Sequence, residues 1–243
     1  DLAEVRALEF TPDGRTVLAL ESRALVFLRA ADGALVRRFD WPEGGLERLS
    51  LGGGQILLAS PAGTVLRLAL AGDEPPRVLH LRHATFAGAD DGGGPSGIDL
   101  TAVSASGARA ATVGDGELVL WETESGTELA RVALLAFTGL AVRGLTFSDD
   151  GARLAVTFPP LDTRPAGLWV FDGASGRRLH ALENLETTPD PLVLRGESAW
   201  IGGPHGAVRE LDLASGRARS VWPGSGRLLD GVRLAPDGDE LYL

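Results

Sequence analysis

The stretch Leu145–Gly151 reads LTFSDDG and has a close copy near the start of the chain, where Leu8–Gly14 reads LEFTPDG. Both are alternating apolar residues followed by a turn that ends in glycine. Looser copies occur at Leu49–Gly54, Val103–Gly107, Leu194–Gly196 and Leu234–Gly238. The turn glycines stand at positions 14, 54, 107, 151, 196 and 238, with spacings of 40, 53, 44, 45 and 42 residues. Self-similarity at a nearly fixed period is the mark of a repeat architecture.

A second glycine turn keeps step with the first. It occurs 19, 18, 19, 25 and 20 residues further on, at Gly33, Gly72, Gly126, Gly176 and Gly216. The interval of 25 coincides with the proline-rich stretch Phe158–Pro165, and the spacing of 53 coincides with the Gly/Asp-rich run Gly88–Gly97. Both stretches are interpreted as lengthened loops. Two independent markers therefore define the same repeating unit.

Between the glycine turns the chain alternates in the manner of half-buried strands, as in Ala24–Leu28, Leu118–Trp121 and Leu168–Phe171. No stretch of helical length keeps an apolar stripe without interruption by Gly, Pro, Asp or Ser. Each unit is predicted to form four short antiparallel strands, which is a propeller blade. The prediction is an all-β protein, a β-propeller in one domain over residues 1–243. Five complete blades are expected at about 5–39, 46–81, 99–132, 143–182 and 190–222, and half of a sixth at 231–243.

The unit at 143–182 resembles a bacterial WD-repeat blade, as does Glu117–Glu122 with Ser125-Gly126. The resemblance extends over nearly the whole chain. The Gly-His dipeptide of that family is missing from every blade, and its Trp-Asp pair occurs only as Trp121-Glu122, Phe171-Asp172 and Leu211-Asp212. The blade at 190–222 is also similar to quinoprotein-type blades. The resemblance implies a propeller that serves as a platform for other proteins.

The amino-acid composition restricts the classes of function, the cellular compartment and the source that we expect. The chain has 33 acidic and 23 basic residues, a net charge of −10, which argues against direct binding of nucleic acid. It has no cysteine and therefore no disulfide or thiolate site. The absence of an apolar run of membrane-spanning length and of a signal peptide leads us to expect a cytoplasmic protein with no membrane contact. All basic residues are arginine, which indicates a GC-rich, bacterial source.

The number of predicted strands indicates whether the blades form a closed ring. Five blades of four strands and one of two leave unpaired edges, which are templates for aggregation. We therefore expect residues outside this stretch to complete six or more blades within a larger multidomain polypeptide, whose other domains are themselves expected partners.

Residues with catalytic or metal-binding chemistry do not form recognisable motifs. The histidines at 80, 83, 180 and 205 lack metal-ligand spacing. Asp90–Gly94 lacks the alternating acids and closing glutamate of a calcium loop. Ser125, Ser175 and Ser215 recur at one blade position, which indicates turn residues and not nucleophiles. The prediction is no catalytic residue, no metal site and no cofactor.

Aromatic residues and inserted loops suggest a binding face. Trp41 and Trp222 each follow the outermost strand of a blade, and each is followed by proline. The loops 82–98, 133–142, 158–167 and 183–189 are expected at the same end of the blades, where insertions typically mark a binding surface. The predicted partner contacts are Trp41, His83, Phe158, Arg164 and His205, although packing between blades is the alternative for the tryptophans.

The leading hypothesis is a non-enzymatic scaffold or sensor propeller that binds a protein partner through loops on one face. One alternative is an enzymatic propeller, quinone-dependent or similar to metal-dependent hydrolases, with a site in the central channel. Such a site needs ionisable side chains on the innermost strands, which carry mostly Leu, Val, Ala, Thr and Ser near their starts. A purely structural spacer is the third possibility.

Overall fold

The structure of the protein is a computed structural model, and it describes most of the 243 residues. The described residues are 4–43, 45–60, 63–72, 74–80, 98–114, 116–134, 142–160, 165–185, 192–202, 204–215, 217–224, 226, 233–234 and 241–242. Within this part of the chain no helix is long and apolar enough to cross a membrane.

Five four-stranded antiparallel sheets, which we number blades 1 to 5, follow one another along the chain. Blade 1 consists of β1 (Val5–Phe10), β2 (Thr16–Glu21), β3 (Ala24–Arg29) and β4 (Leu35–Asp40). Blade 2 consists of β5 (Arg48–Gly52), β6 (Gln55–Ala59), β7 (Thr64–Ala69) and β8 (Arg77–His80). Blade 3 consists of β9 (Ile98–Val103), β10 (Arg109–Gly114), β11 (Glu117–Glu122) and β12 (Glu128–Ala133).

The last two complete blades have the same order. Blade 4 consists of β13 (Gly144–Phe147), β14 (Arg153–Phe158), β15 (Ala166–Asp172) and β16 (Arg178–Leu185). Blade 5 consists of β17 (Leu192–Arg195), β18 (Ser198–Gly202), β19 (Val208–Asp212) and β20 (Ala218–Trp222). A two-stranded sheet of β21 (Arg233–Leu234) and β22 (Leu241–Tyr242) follows. The predicted fold class, five complete blades and half of a sixth, is confirmed.

In every blade the four strands pair in chain order, and the first strands of successive blades lie beside one another. The first strand is therefore the innermost and the fourth the outermost. Each blade has two ends. We call the end with the hairpin between the second and third strands, and with the connection to the next blade, the loop face. The opposite end, with the glycine hairpins, is the turn face.

The hydrophobic core consists of layers between neighbouring blades. Leu18, Leu20 and Phe27 of blade 1 pack against Ile56 and Leu66 of blade 2. Equivalent clusters join blades 2 and 3, 3 and 4, and 4 and 5. Because both faces of a central blade are covered, its second and third strands are buried along almost their whole length, and the period-two pattern is clearest in the outermost strands.

The turn glycines adopt the conformation that their sequence position predicts. Gly14, Gly54, Gly107, Gly151 and Gly196 all have φ between +52° and +73°, a region that other residues rarely enter. Of the second set of turn glycines, Gly33, Gly72, Gly126 and Gly176 have φ between +67° and +95°. Gly216 and Gly238 lie outside the described residues.

Arginines connect neighbouring blades at the turn face. Arg109, the first residue of β10, donates from Nη1 to the carbonyl oxygen of Gly151 in blade 4, at 3.3 Å. Arg153, at the same position of β14, donates to the carbonyl oxygen of Gly196 in blade 5 and forms an ion pair with Glu197. The first turns of blades 4 and 5 are thus each held by the second strand of the blade before.

Candidate functional site: a tryptophan–histidine corner on the loop face

Trp41 lies at the boundary of blades 1 and 2. It follows β4 directly, and its backbone N–H donates to the carbonyl oxygen of Arg23 at 2.6 Å. Leu46, further along the same connection, donates to the carbonyl oxygen of Ser22. The Trp41 side chain is half-buried and packs against the cluster between the two blades. Its indole therefore contributes to packing between blades, and only part of it is open to a partner.

His205 lies in the hairpin between β18 and β19. It is exposed and forms the middle of a short 3₁₀ turn, Pro204–Gly206, with φ +58° and ψ +27°. It is the one non-glycine residue with positive φ in the described part of the chain. Backbone strain of this kind persists only when the surroundings hold it in place.

The connection that follows β20 holds the His205 turn. Gly226 donates its N–H to the carbonyl oxygen of His205 at 3.0 Å. Gly224 has φ +93°, and a Cβ atom there would lie 2.5 Å from the same carbonyl oxygen. Only glycine can approach the turn so closely.

Trp222 lies near the His205 turn and was not among the predicted contacts. As the last residue of β20 it pairs with Val208, three residues after His205, and it is 44% exposed. Its neighbour Val221 is also exposed. The sequence signal was present, because Trp222 and Trp41 stand in equivalent positions. We call His205, Trp222 and Gly224 the blade 5 corner.

Phe158 is not a surface residue, so the prediction that it contacts a partner was wrong. It was predicted as a partner contact at the start of the loop 158–167, but it is fully buried at the end of β14. Its ring packs edge-on against Trp169, with centroids 5.1 Å apart. The alternation of Leu154, Val156 and Phe158 within one strand places it on the face that covers blade 3, and that alternation was the better signal. Phe158 is therefore a core residue.

Two of the predicted contacts, His83 and Arg164, lie outside the described residues, as do residues 82–97 and 161–164 of the loops that contain them. The Asp90–Gly94 run lies outside as well. The structure brings Trp41 and His205 to the same end of the propeller, on blades 1 and 5.

Carboxylates at the turn face act within their own hairpins. The Ser175 hydroxyl donates to Asp172 at 2.7 Å and the Ser215 hydroxyl to Asp212 at 2.6 Å. These hydrogen bonds lower the pKa of both carboxyl groups below the ordinary 3.8. The serines thus occupy the turns as predicted, with their hydroxyls donated to a carboxylate.

Among the described residues, the innermost strands of blades 1, 2 and 3 each contain an ionisable side chain near the start, namely Arg6, Arg48 and Asp99. Arg6 forms an ion pair with Glu4. Arg48 of β5 donates to the backbone carbonyl oxygen of Asp99 in β9. Burial raises the pKa of the Asp99 carboxyl group, and the Arg48 charge opposes this rise. Two residues further along each strand, the Ser50 hydroxyl bonds to Thr101, so polar contacts join β5 and β9 at both positions. No group of three His, Cys, Asp or Glu side chains that could hold a metal ion occurs among the described residues.

Comparison with known proteins identifies the architecture. No protein-family model matches the chain, and no curated protein matches it by sequence. By structure it is similar to a chain of the solved structure titled "Crystal Structure of Mitotic Checkpoint Complex". The match has a TM-score of 0.69 at 14% sequence identity and extends over 98% of this chain and 70% of that one.

The chain therefore has the fold of a WD-repeat-like β-propeller. In total, 1333 chains of solved structures match it. A fold shared so widely does not determine a function, which must be argued from the site.

Proposed function

We propose that the chain is a non-catalytic protein-interaction platform that binds its partner through the loop face, with the blade 5 corner as the main contact. The observation that carries the proposal is the exposure of Trp222 beside a strained, well-held turn at His205. Tryptophan is enriched among the residues that dominate binding energy.

The rigidity of the His205 turn also supports the blade 5 corner as the main contact. The His205 turn is held by the Gly226 hydrogen bond and by the close approach of Gly224, so the corner has its shape before a partner arrives. A preorganised surface loses less conformational entropy on binding. Trp41, at the same end of the propeller, adds a partly exposed aromatic surface on blade 1.

Charge defines the partner class. With a net charge of −10 the chain attracts cationic partners over long range. A basic segment with an apolar anchor for the corner is therefore the favoured partner. The structural neighbour is consistent with this role, because its title places it in a complex, while the likeness itself concerns the fold.

The test is a selection of peptide binders on the immobilised 243-residue chain, from a displayed library of basic and apolar 12-residue peptides. Selected peptides are then measured in solution against Trp222→Ala and Leu129→Ala. Leu129, in the outermost strand of blade 3 near the turn face, is 43% exposed and matches Trp222 in accessibility. Truncation of a binding hot spot costs about 2 kcal/mol or more, which is roughly a 30-fold weaker affinity.

We expect Trp222→Ala to weaken binding by that factor and Leu129→Ala to leave it unchanged. The expected affinity also falls as salt is raised, since charge contributes to association. If the selected peptides bind Trp222→Ala and His205→Ala as tightly as they bind the parent chain, the interaction lies elsewhere and the proposal is overturned.

A further inference from the structure

We propose that a cavity between blades 1 and 2, at the turn face, binds a small zwitterion with an apolar side chain, either a free amino acid or a dipeptide. The cavity has a volume of about 600 Å³ and is lined by blade 1 and by the hairpin between β7 and β8 of blade 2. Sites for small ligands usually have volumes of about 300–1,000 Å³. The cavity lies at the opposite end of the propeller from the blade 5 corner, so it does not depend on the function proposed above.

The blade 2 hairpin beside this cavity is longer than its counterparts. The third and fourth strands are separated by seven residues in blade 2, 70–76, and by five residues in the other complete blades, at 30–34, 123–127, 173–177 and 213–217. The longer connection contains Pro75 and Pro76, which have no N–H group to close a tight hairpin. We attribute the cavity to this longer connection.

The turn glycines show that the corresponding space is filled between other blades. A Cβ atom added at Gly126 would lie 2.9 Å from the Leu79 side chain of blade 2, and one at Gly176 would lie 2.8 Å from Ala130 of blade 3. At Gly72, the equivalent glycine of blade 2, no atom of the described residues lies within 4 Å of the added atom. The hairpins of blades 3 and 4 thus pack against the preceding blade, whereas that of blade 2 leaves a cavity.

Arg37 supplies a fixed positive charge to the cavity. It lies on β4, and its guanidinium group stands over the ring of the buried Phe27, 5.0 Å from the ring centroid. Its Nη1 donates to the carbonyl oxygen of Gly72 in the blade 2 hairpin. A guanidinium group has five N–H donors, so the bond to Gly72 leaves donors for a ligand carboxylate. Because the ring and the carbonyl group orient Arg37, the donors are positioned before a ligand arrives.

Asp13 supplies a negative charge to the same cavity. Its Oδ1 accepts hydrogen bonds from the Thr11 hydroxyl at 2.6 Å and from the Arg15 backbone N–H at 3.0 Å. These bonds lower the pKa of the carboxyl group below the ordinary 3.8, so the group is ionised at neutral pH. No hydrogen bond joins Oδ2 to a described residue, and this oxygen can accept from a ligand ammonium group.

The two opposite charges determine the class of ligand. Arg37 and Asp13 line one cavity, yet neither forms an ion pair with the other or with another described residue. A ligand with one carboxylate and one ammonium group satisfies both side chains at once. Such a ligand has no net charge, so the charge of −10 on the chain does not repel it. An anion would be repelled by that charge, and a cation would be repelled by Arg37.

The apolar part of the lining favours a zwitterion with an apolar side chain. Phe27 lines the cavity from blade 1 and Leu70 lines it from blade 2. Small-ligand sites are typically apolar, with a few polar groups that fix the orientation of the ligand. In the expected complex the carboxylate binds Arg37, the ammonium group binds Asp13, and the apolar side chain lies against Phe27 and Leu70.

The test is isothermal titration calorimetry of the 243-residue chain with free leucine and with leucyl-leucine. The control ligands are the N-acetylated form of the better binder, which lacks the ammonium group, and its amide, which lacks the carboxylate. We expect each control ligand to bind at least about tenfold more weakly, because each loses a charge-assisted hydrogen bond. Tighter binding of leucine identifies a free amino acid as the ligand, and tighter binding of leucyl-leucine identifies a dipeptide. Equal affinities for capped and uncapped ligands, or no binding of either zwitterion, overturn the proposal.

Arg37→Met tests the carboxylate contact in the chain itself. The variant keeps the apolar stem and is expected to weaken binding at least about tenfold, because the charged donor is lost. Arg77→Met is the control, because Arg77 of blade 2 donates to the carbonyl oxygen of Glu124 in the next blade but does not line the cavity. Binding that is unchanged in Arg37→Met, or equally weakened in both variants, overturns the proposal.

Asp13→Asn tests the ammonium contact, and we expect a loss of similar size. Asp150→Asn is the control, because Asp150 accepts from Ser148 in the equivalent turn of blade 4 and is not part of the cavity. Full binding by Asp13→Asn would contradict the proposal, as would an equal loss in Asp150→Asn. Trp222→Ala is expected to bind the zwitterion as the parent chain does, which separates this site from the blade 5 corner.

Discussion

Trp121 and Thr112 form a buried hydrogen bond inside blade 3. The indole Nε1 of Trp121, on β11, donates to the Thr112 hydroxyl on β10 at 3.0 Å. The hydroxyl is fully buried and the indole almost so, and a buried indole N–H without an acceptor is costly. This bond fixes the orientation of the largest side chain in the layer between blades 2 and 3.

Replacement of Thr112 by valine is expected to lower the free energy of unfolding by about 1–3 kcal/mol, because it leaves the Trp121 N–H without this acceptor. Thr157→Val is the matched control. The Thr157 hydroxyl is also fully buried, but it has no hydrogen-bond partner within the described residues. Its removal is expected to be neutral or stabilising. Urea unfolding measures both, and equal losses would contradict the interpretation.

Arg153→Met is expected to weaken the contact between blades 4 and 5. The substitution keeps the apolar stem but removes the bonds to Gly196 and Glu197, at a cost of roughly 1–3 kcal/mol for a charged donor. Arg15→Met, in an exposed turn of blade 1, is expected to stay within about 0.5 kcal/mol of the parent chain. Hydrogen exchange should locate the loss at the β17–β18 hairpin, and exchange unchanged there would show that the arginine contributes nothing.

The stability of the chain is expected to fall with acid partly through Asp150. The Ser148 hydroxyl donates to Asp150 at 2.6 Å, and this bond lowers the pKa of the carboxyl group below its ordinary 3.8. A carboxyl group with a lowered pKa in the folded state contributes stability above about pH 4, and this contribution is lost as the pH falls through the folded pKa.

Asp150→Asn and Ser148→Ala should therefore both show a smaller loss of stability between pH 5 and pH 2.5 than the parent chain. Chemical unfolding across this range provides the measurement. A slope identical to that of the parent in both variants would exclude the proposed contribution.

Gly224→Ala is expected to disturb the blade 5 corner. A methyl group there would lie 2.5 Å from the His205 carbonyl oxygen, and the backbone must also leave φ +93° or bear strain. Gly33→Ala is the control, because Gly33 also has a positive φ, +71°, and nothing of the described chain within 4 Å of the new methyl group, but lies in a turn of blade 1 away from His205. We expect a shift in Trp222 fluorescence and weaker peptide binding for Gly224→Ala alone. Equal effects in both variants would mean that the contact between Gly224 and His205 does not control the corner.

Much of the architecture was predictable because its signals are local. A turn that needs positive φ selects glycine, and a strand covered on its faces selects alternating or continuous apolar residues. Both properties are visible in a single unit such as Leu145–Gly151. The candidate site was less predictable. Trp41 and Trp222 have the same sequence context, yet one packs between blades and the other is exposed, because their neighbours in space differ.

The amino-acid sequence alone determined the period of the repeat, the four strands of each blade and the positions of the glycine turns, since these depend on residues close together in the chain. Tertiary structure alone decided which copies of a motif are covered. Phe10 and Phe147 occupy the same place in the related segments Leu8–Gly14 and Leu145–Gly151, and one is exposed while the other is buried. Burial depends on the blade that lies opposite, and that blade is contributed by residues far away along the chain.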